Sequence, residues 1–466
     1  MSIQVSSSSI PNLSSAVLDS DPYLTRLLNL VVARSHTTSL QDTWLQELRD
    51  RAVLVVRQSA LPTNRDEEWR SIDLSSLRQV EFNVETLDAT SLQQVDIASI
   101  TLPEAVHSRL VFVNGVYAPE LSAVAGLPDG VIVSNLAGLS VEMSYATSLH
   151  SRMREYLAHA SGADEVFTSL NTGGMTDVAV VWVAKNVVVE TPIHLLFIST
   201  ASKTPTLSQP RCFIVAETGS SVTLVEEFKS HKANEGQQTS TTVEDVYFTN
   251  AVTEIWVEDN AQVNHIRLQQ DGESAFHIGK SVISQRRNSR YTCYPITLGG
   301  KLSRHNLEIF QTGDQTETIL NGLTIIGGNQ LADTHSTIAL NHPYSTSRQL
   351  HKCIIGDRAH SVFNGKIFVP KAAQLTDAAQ LNRNLLLSSK ARVDTKPQLE
   401  ITADNVKCAH GATVSQLEDD EIFYLQSRGI DENDARYLLI NAFAAEIINQ
   451  IPVPSLREKL TQLVGK

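Results

Sequence analysis

The chain has 466 residues, 42% of them hydrophobic and 19% charged, a composition typical of folded domains and a length that suits two or three of them. With 38 basic residues against 51 acidic ones the formal net charge is −13, which argues against nucleic acid or an anionic membrane as the main partner. No run approaches the roughly 20 apolar residues that span a bilayer.

Residues 1–20 are rich in serine and lack both a basic segment and an apolar core, so they do not resemble a secretory signal. They also lack arginine, which disfavours a plastid or mitochondrial presequence. We therefore expect a disordered leader and a cytoplasmic protein. The plastid stroma is the alternative if the leader is a transit peptide.

Residues 21–165 are expected to form an N-terminal, mostly helical domain. Apolar residues recur at steps of three and four over residues 24–32 and again over 44–52, and Pro62 ends this helical block. The later stretch RLVFVNGVYAP instead predicts strand, turn, strand, with the turn at Asn114-Gly115.

Residues 166–414 consist almost entirely of short β-prone runs separated by turns rich in Gly, Asn, Asp or Ser; examples are TDVAVVWV, RCFIVAE, SVTLVEEF, QVNHIRLQQ and SVFNGKIFV. Several runs begin with a polar corner, a small residue and a β-branched residue, a pattern that lets successive layers of chain stack and share a core. Clean hairpin turns are rare in this region. The pattern therefore favours a mainly β protein with a right-handed parallel β-helix core over a β-sandwich.

Residues 415–466 are expected to form a C-terminal helical region. Ser415 and Glu418 can form a capping box, Gly429 provides a helix stop, and Asp431 can cap a second helix. That helix carries a wide apolar stripe, made of Ala435, Leu438, Leu439, Ala442, Phe443 and Ile447. Such a stripe either packs back on the core or docks a partner.

Common catalytic motifs are absent from the sequence. Residues 322–330, GLTIIGGNQ, copy the glycine spacing of a phosphate loop but lack its lysine, so they predict a turn rather than an ATP site. A β-helix polysaccharide lyase or hydrolase would need acids or bases clustered on one face, and we find no dense acidic cluster on successive strands. Because stacking register is not visible in a sequence, the carbohydrate-active enzyme stays open as an alternative.

The four cysteines, Cys212, Cys293, Cys353 and Cys408, form no CxxC motif, and free thiols in a reducing compartment fit the chain best. Cys212 and Cys293 lie in strand-like runs and are predicted to be core residues. His335, His342 and His360 lie in strands or at corners, where histidines are usually structural.

Cys408 and His410 are the candidate metal ligands. In a strand, residues i and i+2 face the same side, so an extended VKCAHGA presents a thiol beside an imidazole. The two groups suit a borderline metal, but two ligands cannot complete a tetrahedral site, and the others would come from elsewhere in the chain or from a partner. His351 and Cys353 have the same spacing and carry less weight. The alternative is that Cys408 and His410 are simply core residues of a structural spacer.

Long segments of the chain resemble one family. DNVKCAHGATVSQLEDDEIFYLQSRGI (404–430), VFNGKIFVPKAAQLTDAAQLNRNLLLS (362–388) and DTHSTIALNHPYSTSRQLHKCIIGD (333–357) are similar to segments of the SufB/SufD family of iron–sulfur cluster assembly proteins. LPTNRDEEWRSIDLSSL and LVFVNGVYAPELS resemble the SufD branch in particular, as does His-Gly-Ala in place of the His-Glu-Ala typical of SufB. The similarity spans about 61–450.

The resemblance implies a parallel β-helix flanked by helical regions. It implies a non-catalytic scaffold subunit that pairs with SufB and binds the ATPase SufC through C-terminal helices, at about 431–450. Such a complex builds a nascent iron–sulfur cluster, and the SufD subunit helps iron to enter. A homodimer is an alternative assembly when SufB is absent, since the edge that meets SufB could meet a second copy.

Cys408 and His410 match the family's Cys-x-His at the SufB–SufD interface. The resemblance implies that His410 is the stronger candidate ligand of transient iron or of a nascent cluster, with SufB supplying a cysteine. It implies no stably bound cofactor in the isolated chain.

Overall fold

The computed structural model describes residues 21–35, 42–84, 95–142, 146–159, 162, 164–200, 202–231 and 246–464. The predicted disordered leader, residues 1–20, lies outside the described residues. None of the helices in the described ranges has both the length and the apolar character needed to cross a membrane.

Helices dominate the first part of the chain, as the apolar periodicity predicts. The side chains of Leu24, Leu28 and Val31 are buried along one face of the first helix, and Leu45 and Leu48 along the second. The helices are α1 (Pro22–Ser35), α2 (Thr43–Arg57), α3 (Ser75–Arg78), α4 (Ile97–Ile100), α5 (Leu136–Glu142), α6 (Ala146–Tyr156) and α7 (Val166–Gly173), with 3₁₀ turns at Glu67–Trp69, Pro103–Ala105 and Pro119–Leu121.

Strands dominate the rest. They are β1 (Arg109–Val113), β2 (Val116–Tyr117), β3 (Val131–Asn135), β4 (Ala179–Val183), β5 (Ile193–Thr200), β6 (Thr206–Ser208), β7 (Arg211–Ala216), β8 (Ser221–His231), β9 (Tyr247–Val257), β10 (Gln262–Gln270), β11 (Phe276–Gln285), β12 (Arg290–Thr297), β13 (Leu302–Gln311), β14 (Glu317–Ile326), β15 (Leu331–Ala339), β16 (Thr346–Ile355), β17 (His360–Val369), β18 (Asp377–Leu386), β19 (Arg392–Ile401) and β20 (Lys407–Gln416).

From β7 onward the strands alternate between two sheets that face each other. One sheet has the order β2-β1-β5-β8-β10-β12-β14-β16-β18-β20, and the other runs β19-β17-β15-β13-β11-β9-β7-β4-β3. Neighbouring strands are parallel from β5 onward in the first sheet, so that Gln262 of β10 pairs with Arg290 of β12, one coil later. The predicted parallel β-helix is confirmed as a solenoid of about 7 turns.

At the polar corners seen in the sequence, single residues adopt positive φ, and successive corners stack on one another. Asn260 and Asn288 occupy equivalent corners with φ of 60° and 53°, a conformation that asparagine tolerates better than most residues. The side-chain Nδ2 of Asn288 donates to Oδ1 of Asn260 over 2.7 Å. These corners therefore hold successive coils in register.

The start of the solenoid is built partly by the N-terminal region. The predicted turn at Asn114-Gly115 joins β1 and β2 in an antiparallel hairpin, and both residues have positive φ. β1 also pairs in parallel with β5, while β3 pairs antiparallel with β4. Each sheet thus begins with a short antiparallel strand from the part of the chain before residue 166.

The C-terminal helices are α8 (Asp419–Gln426), α9 (Glu432–Ile448) and α10 (Pro454–Leu463). As predicted, the Asp431 side chain caps α9, accepting from the backbone N–H groups of Asn433 and Asp434. The predicted capping box is wrong, because Ser415 lies within β20 and the Glu418 side chain makes no cap bond. Pairing with β18 as far as Gln416 keeps Ser415 extended.

Candidate functional site

Cys408 and His410 lie on β20, the strand that ends its sheet in the described chain. Cys408 pairs in register with Ala378 of β18, and His410 pairs with Gln380. Within the described ranges, no strand follows β20 in one sheet or β19 in the other. The segment VKCAHGA is extended, as predicted, and it forms part of an open edge of the solenoid.

The two side chains belong to the same face of β20 but differ in exposure. Cys408 is half-buried and packs against the apolar interior of the solenoid, whereas His410 is exposed. Burial raises the pKa of the Cys408 thiol and outweighs the opposing hydrogen bond with the Ala378 backbone, while the Asp377 carboxylate adds a smaller increase. The thiol therefore stays protonated at neutral pH until a nearby cation lowers its pKa.

Among the described residues, no group of three or more His, Cys, Asp or Glu side chains is arranged to hold a metal ion. Cys408 and His410 offer two ligands, while tetrahedral sites take four. The pair by itself is thus half a site, placed where a second chain could supply the other half.

The second pair with this spacing, His351 and Cys353, lies on β16 and is fully buried. Burial lowers the pKa of His351 to about 4 and raises the pKa of Cys353 to about 11, so both are neutral at pH 7. His351 is held by Thr324, with 3.0 Å between Nε2 and Oγ1. These two residues form part of the core.

Cys212 and Cys293 are buried, as predicted, but they touch a charged cluster that sequence reasoning missed. Inside the solenoid, His265 Nε2 lies 3.0 Å from a carboxylate oxygen of Glu226. Cys293 Sγ lies 3.9 Å from His265 Nδ1, and Cys212 Sγ lies 3.6 Å from the other Glu226 oxygen. The Tyr291 hydroxyl oxygen lies 2.9 Å from His265 Nδ1.

The alternation of inward-facing and outward-facing residues along each strand could have predicted this cluster from the sequence. Glu226 has the same parity along β8 as the buried residues Val222 and Leu224, and His265 has the same parity as Val263 along β10. A charged residue on an inward face must find a partner there, because burying an unpaired charge is costly. A charged residue at an inward-facing position of a strand therefore predicts a polar contact inside the solenoid.

Acidic residues also gather in a cleft between the 3₁₀ turn Glu67–Trp69 and strands β15, β17 and β19. Each has a cationic partner: Glu68 pairs with His335, Asp333 with Arg304, and Asp394 with Arg392. The hydrogen bond from His335 lowers the pKa of Glu68. The Glu68–His335 pair joins the N-terminal segment to the solenoid, whereas an acid–base pair for glycoside hydrolysis would need one carboxyl group with a raised pKa.

The apolar stripe predicted on α9 divides between two environments. Ala435 is fully buried, and Ile440, Ala444 and Ile447 are buried in one cluster with apolar side chains of the solenoid. Leu438 is 46% exposed. Further exposed apolar side chains that the sequence analysis missed are Phe423 and Tyr424 on α8 and Tyr437 on α9, with exposed fractions of 69%, 57% and 39%.

We call Phe423, Tyr424, Tyr437 and Leu438 the C-terminal aromatic surface. Large aromatic side chains at this level of exposure are typical of protein interaction sites rather than of free surface. The helix pair therefore has one face that packs on the solenoid and a second set of apolar side chains left exposed.

Comparison with known proteins assigns the chain to a family. The model described as SUF system FeS cluster assembly, SufBD core domain, matches residues 197–443, which include the solenoid from β5 onward and most of α9. The chain belongs to the SufBD family. The model described as SufBD protein N-terminal region matches residues 30–195, so the family resemblance predicted from the sequence is confirmed.

Relatives share nearly the full length of this SufBD protein. An iron–sulfur cluster assembly SufBD family protein of Synechocystis sp. is 46% identical over 94% of each chain. Protein ABCI7, chloroplastic, of Arabidopsis thaliana is 34% identical over 94% of this chain and 90% of its own. The iron–sulfur cluster assembly protein SufD of Escherichia coli is 32% identical over 88% and 90%. The chain is thus a SufBD family iron–sulfur cluster assembly protein.

Proposed function

We propose that this chain is a SufD-type, non-catalytic scaffold subunit that pairs with SufB along the open β19–β20 edge and helps iron to enter a nascent iron–sulfur cluster there. The observation that carries the proposal is the place of Cys408 and His410 on the last strand of a SufBD solenoid, half-buried and exposed respectively.

The open edge supports pairing with another subunit. The described residues of β19 and β20 are half-buried or exposed along their whole length, unlike those of the strands inside the stack. A long exposed edge strand offers unpaired N–H and C=O groups, and proteins usually cover such an edge. A second solenoid can continue both sheets at once.

We call the proposed contact between the β19–β20 edge and SufB the seam. Iron is a substrate of assembly at this seam rather than a resident cofactor. An imidazole is a good ligand for iron, and a thiolate suits iron–sulfur clusters. His410 is exposed, whereas Cys408 is half-buried and must first lose its proton to bind a metal. We therefore propose His410 as the main iron ligand in this chain and Cys408 as a weaker candidate ligand. SufB would supply a further cysteine ligand.

The C-terminal aromatic surface is the proposed docking site for the ATPase SufC, at the beginning of the predicted 431–450 region and on the preceding helix. The sequence has no phosphate loop, so ATP hydrolysis is assigned to SufC. ATP-driven closure of two SufC subunits would pull on α8 and α9 and shift the SufB–SufD seam, exposing buried ligands. The cytoplasm is the proposed compartment. The plastid stroma is the alternative, since the relative from Arabidopsis thaliana is named as chloroplastic.

Anaerobic reconstitution tests the role of His410. The chain is copurified with SufB and SufC, supplied with iron and sulfide, and assayed for bound iron and cluster absorption. We expect His410→Ala to lower the iron content at least about tenfold, because losing a ligand costs no less than losing its outer-shell partner. Thr413→Ala, on the outward face of the same strand, is the matched control.

The structural-spacer alternative gives a different result. In that case His410→Ala retains full iron content and changes only the melting temperature. Failure of SufB and SufC to copurify with the unmodified chain would refute the pairing itself.

A further inference from the structure

A ladder of buried amides runs inside the last coils and ends beneath His410. Gln349 of β16 donates from Nε2 to Ser336 Oγ over 2.8 Å. Gln380 of β18 donates from Nε2 to Gln349 Oε1, also over 2.8 Å. Gln349 and Gln380 are 6% and 2% exposed, so both amides are fixed by the protein rather than by solvent.

The ladder leaves one acceptor unused. Gln380 Oε1 is buried and has no hydrogen-bond partner among the described residues. A buried amide oxygen without a partner loses its hydrogen bonds to water and gains nothing in return, so native structures rarely contain one without a reason. The Nε2 end of this amide is engaged with Gln349, which leaves Oε1 as the free end.

The protein makes room for this amide. A Cβ atom at Gly365 of β17 would lie 2.3 Å from Gln380 Nε2 and 2.8 Å from its Cδ, closer than atoms can approach. Gly365 has no positive φ that would require glycine. Its missing side chain therefore serves to seat Gln380.

His410 is the next residue along the ladder. It pairs in register with Gln380 on the adjacent strand, and neighbouring strands lie about 4.8 Å apart. Cys408 packs into the interior, so strand alternation gives His410 the same inward-facing parity. An imidazole turned inward at this position reaches the free oxygen of Gln380.

We infer that Gln380 is the positioning residue of His410: its Oε1 accepts a hydrogen bond from one imidazole nitrogen when a subunit covers β20. The other ring nitrogen then keeps its lone pair and faces the seam, ready to bind iron. Metal-binding histidines generally donate their second nitrogen to such an oxygen, which fixes both tautomer and ring orientation. The inference rests on the proposed metal role of His410.

Asn384 provides the matched control for Gln380, since it is a buried amide on the same face of β18 but pairs with Val414.

The test uses the complex with SufB and SufC, titrated anaerobically with Co²⁺ and followed by its visible absorption. Gln380→Leu removes the acceptor at similar volume and should weaken Co²⁺ binding about 10- to 100-fold. Gln380→Glu retains an oxygen at the same reach and should restore Co²⁺ binding. Asn384→Leu should bind Co²⁺ as the unmodified complex does.

The two proposals fail in different ways. If His410→Ala weakens Co²⁺ binding while both Gln380 variants bind normally, the positioning role is wrong and the proposed function stands. If His410→Ala itself binds normally, the metal role of the seam is wrong, and the inference falls with it.

Discussion

Two Cys/His pairs with the same spacing lie in different environments in this protein. His351 and Cys353 are sealed inside the solenoid and neutral, whereas Cys408 and His410 lie on its last strand. Spacing of two residues along a strand decides that the side chains share a face. Whether that face is covered depends on how many coils follow, so the chemistry of the pair is set by the position of its strand in the stack.

The buried cluster around His265 is a second feature at the scale of single residues. Burial alone would lower the pKa of this imidazole, but the Cys293 sulfur and the Glu226 carboxylate outweigh burial and raise it to about 9. The Glu226 carboxylate has a lowered pKa despite its burial, because His265 donates to it. The pair is thus an ion pair at neutral pH within an otherwise apolar interior.

This ion pair predicts a loss of stability at alkaline pH. The folded-state pKa of His265 lies above the unfolded value of about 6.5, so its contribution is complete below pH 6.5 and is lost as the pH rises through about 9. We expect the free energy of unfolding to fall by a few kcal/mol over this range, measured by urea denaturation, and His265→Gln to lack this fall.

His351→Gln is the control for this measurement. His351 has a pKa lowered to about 4, so it is neutral throughout the range and its replacement should leave the alkaline slope unchanged. Parallel pH profiles for the unmodified chain and His265→Gln would contradict the prediction.

At the scale of elements, a buried cation links α9 to the solenoid in addition to its apolar packing. Lys352 of β16 donates from Nζ to the Phe443 carbonyl of α9 over 2.8 Å and forms an ion pair with Glu446. The Lys352 side chain is 3% exposed. β16 pairs with β18, which pairs with β20, so this contact joins the proposed docking helices to the strands that lead to His410.

Removing this cation should loosen α9. Lys352→Met keeps most of the side-chain volume but leaves the Phe443 carbonyl without its donor, and we expect a loss of about 1–3 kcal/mol in unfolding free energy. Hydrogen exchange of peptides from α9 should quicken while exchange in β8 and β10 stays unchanged.

Arg383→Met provides the comparison. Arg383 pairs with the same Glu446 at 3.3 Å but is much more exposed, so its removal should cost less than about 1 kcal/mol. If both variants exchange alike in α9, the buried contact does not anchor the helix.

At the scale of the whole molecule, the two ends of the solenoid differ. Short antiparallel strands, β2 and β3, end the two sheets on one side, whereas the longer strands β19 and β20 end them on the other side of the described chain. Two chains that pair through the same β19–β20 edge cover that edge in both chains. Such a symmetric contact favours a closed dimer over an extending fibre.

The open edge predicts a homodimer when SufB is absent. Lys407 donates its N–H to Thr376 on the β18 side, so alternation turns the N–H of Ala412 toward the open side. We expect the isolated chain to sediment as a dimer and Ala412→Pro, which removes that N–H without breaking the pairing to β18, to shift it toward the monomer.

Ala412→Val retains the N–H and should remain a dimer in the same sedimentation experiment. A monomeric unmodified chain, or a dimer that Ala412→Pro leaves intact, would show that the edge does not mediate self-association.

The amino-acid sequence by itself determined the helices of the N-terminal region, the Asn114-Gly115 hairpin, the run of short strands and the Asp431 cap, because periodicity and turn residues act over a few neighbours. It also carried the family, through segments long enough to be specific. The tertiary structure alone decided that His410 is exposed, that His351 is sealed, and that Glu226 and His265 meet. Those outcomes depend on contacts between strands a full coil or more apart, which no local pattern contains.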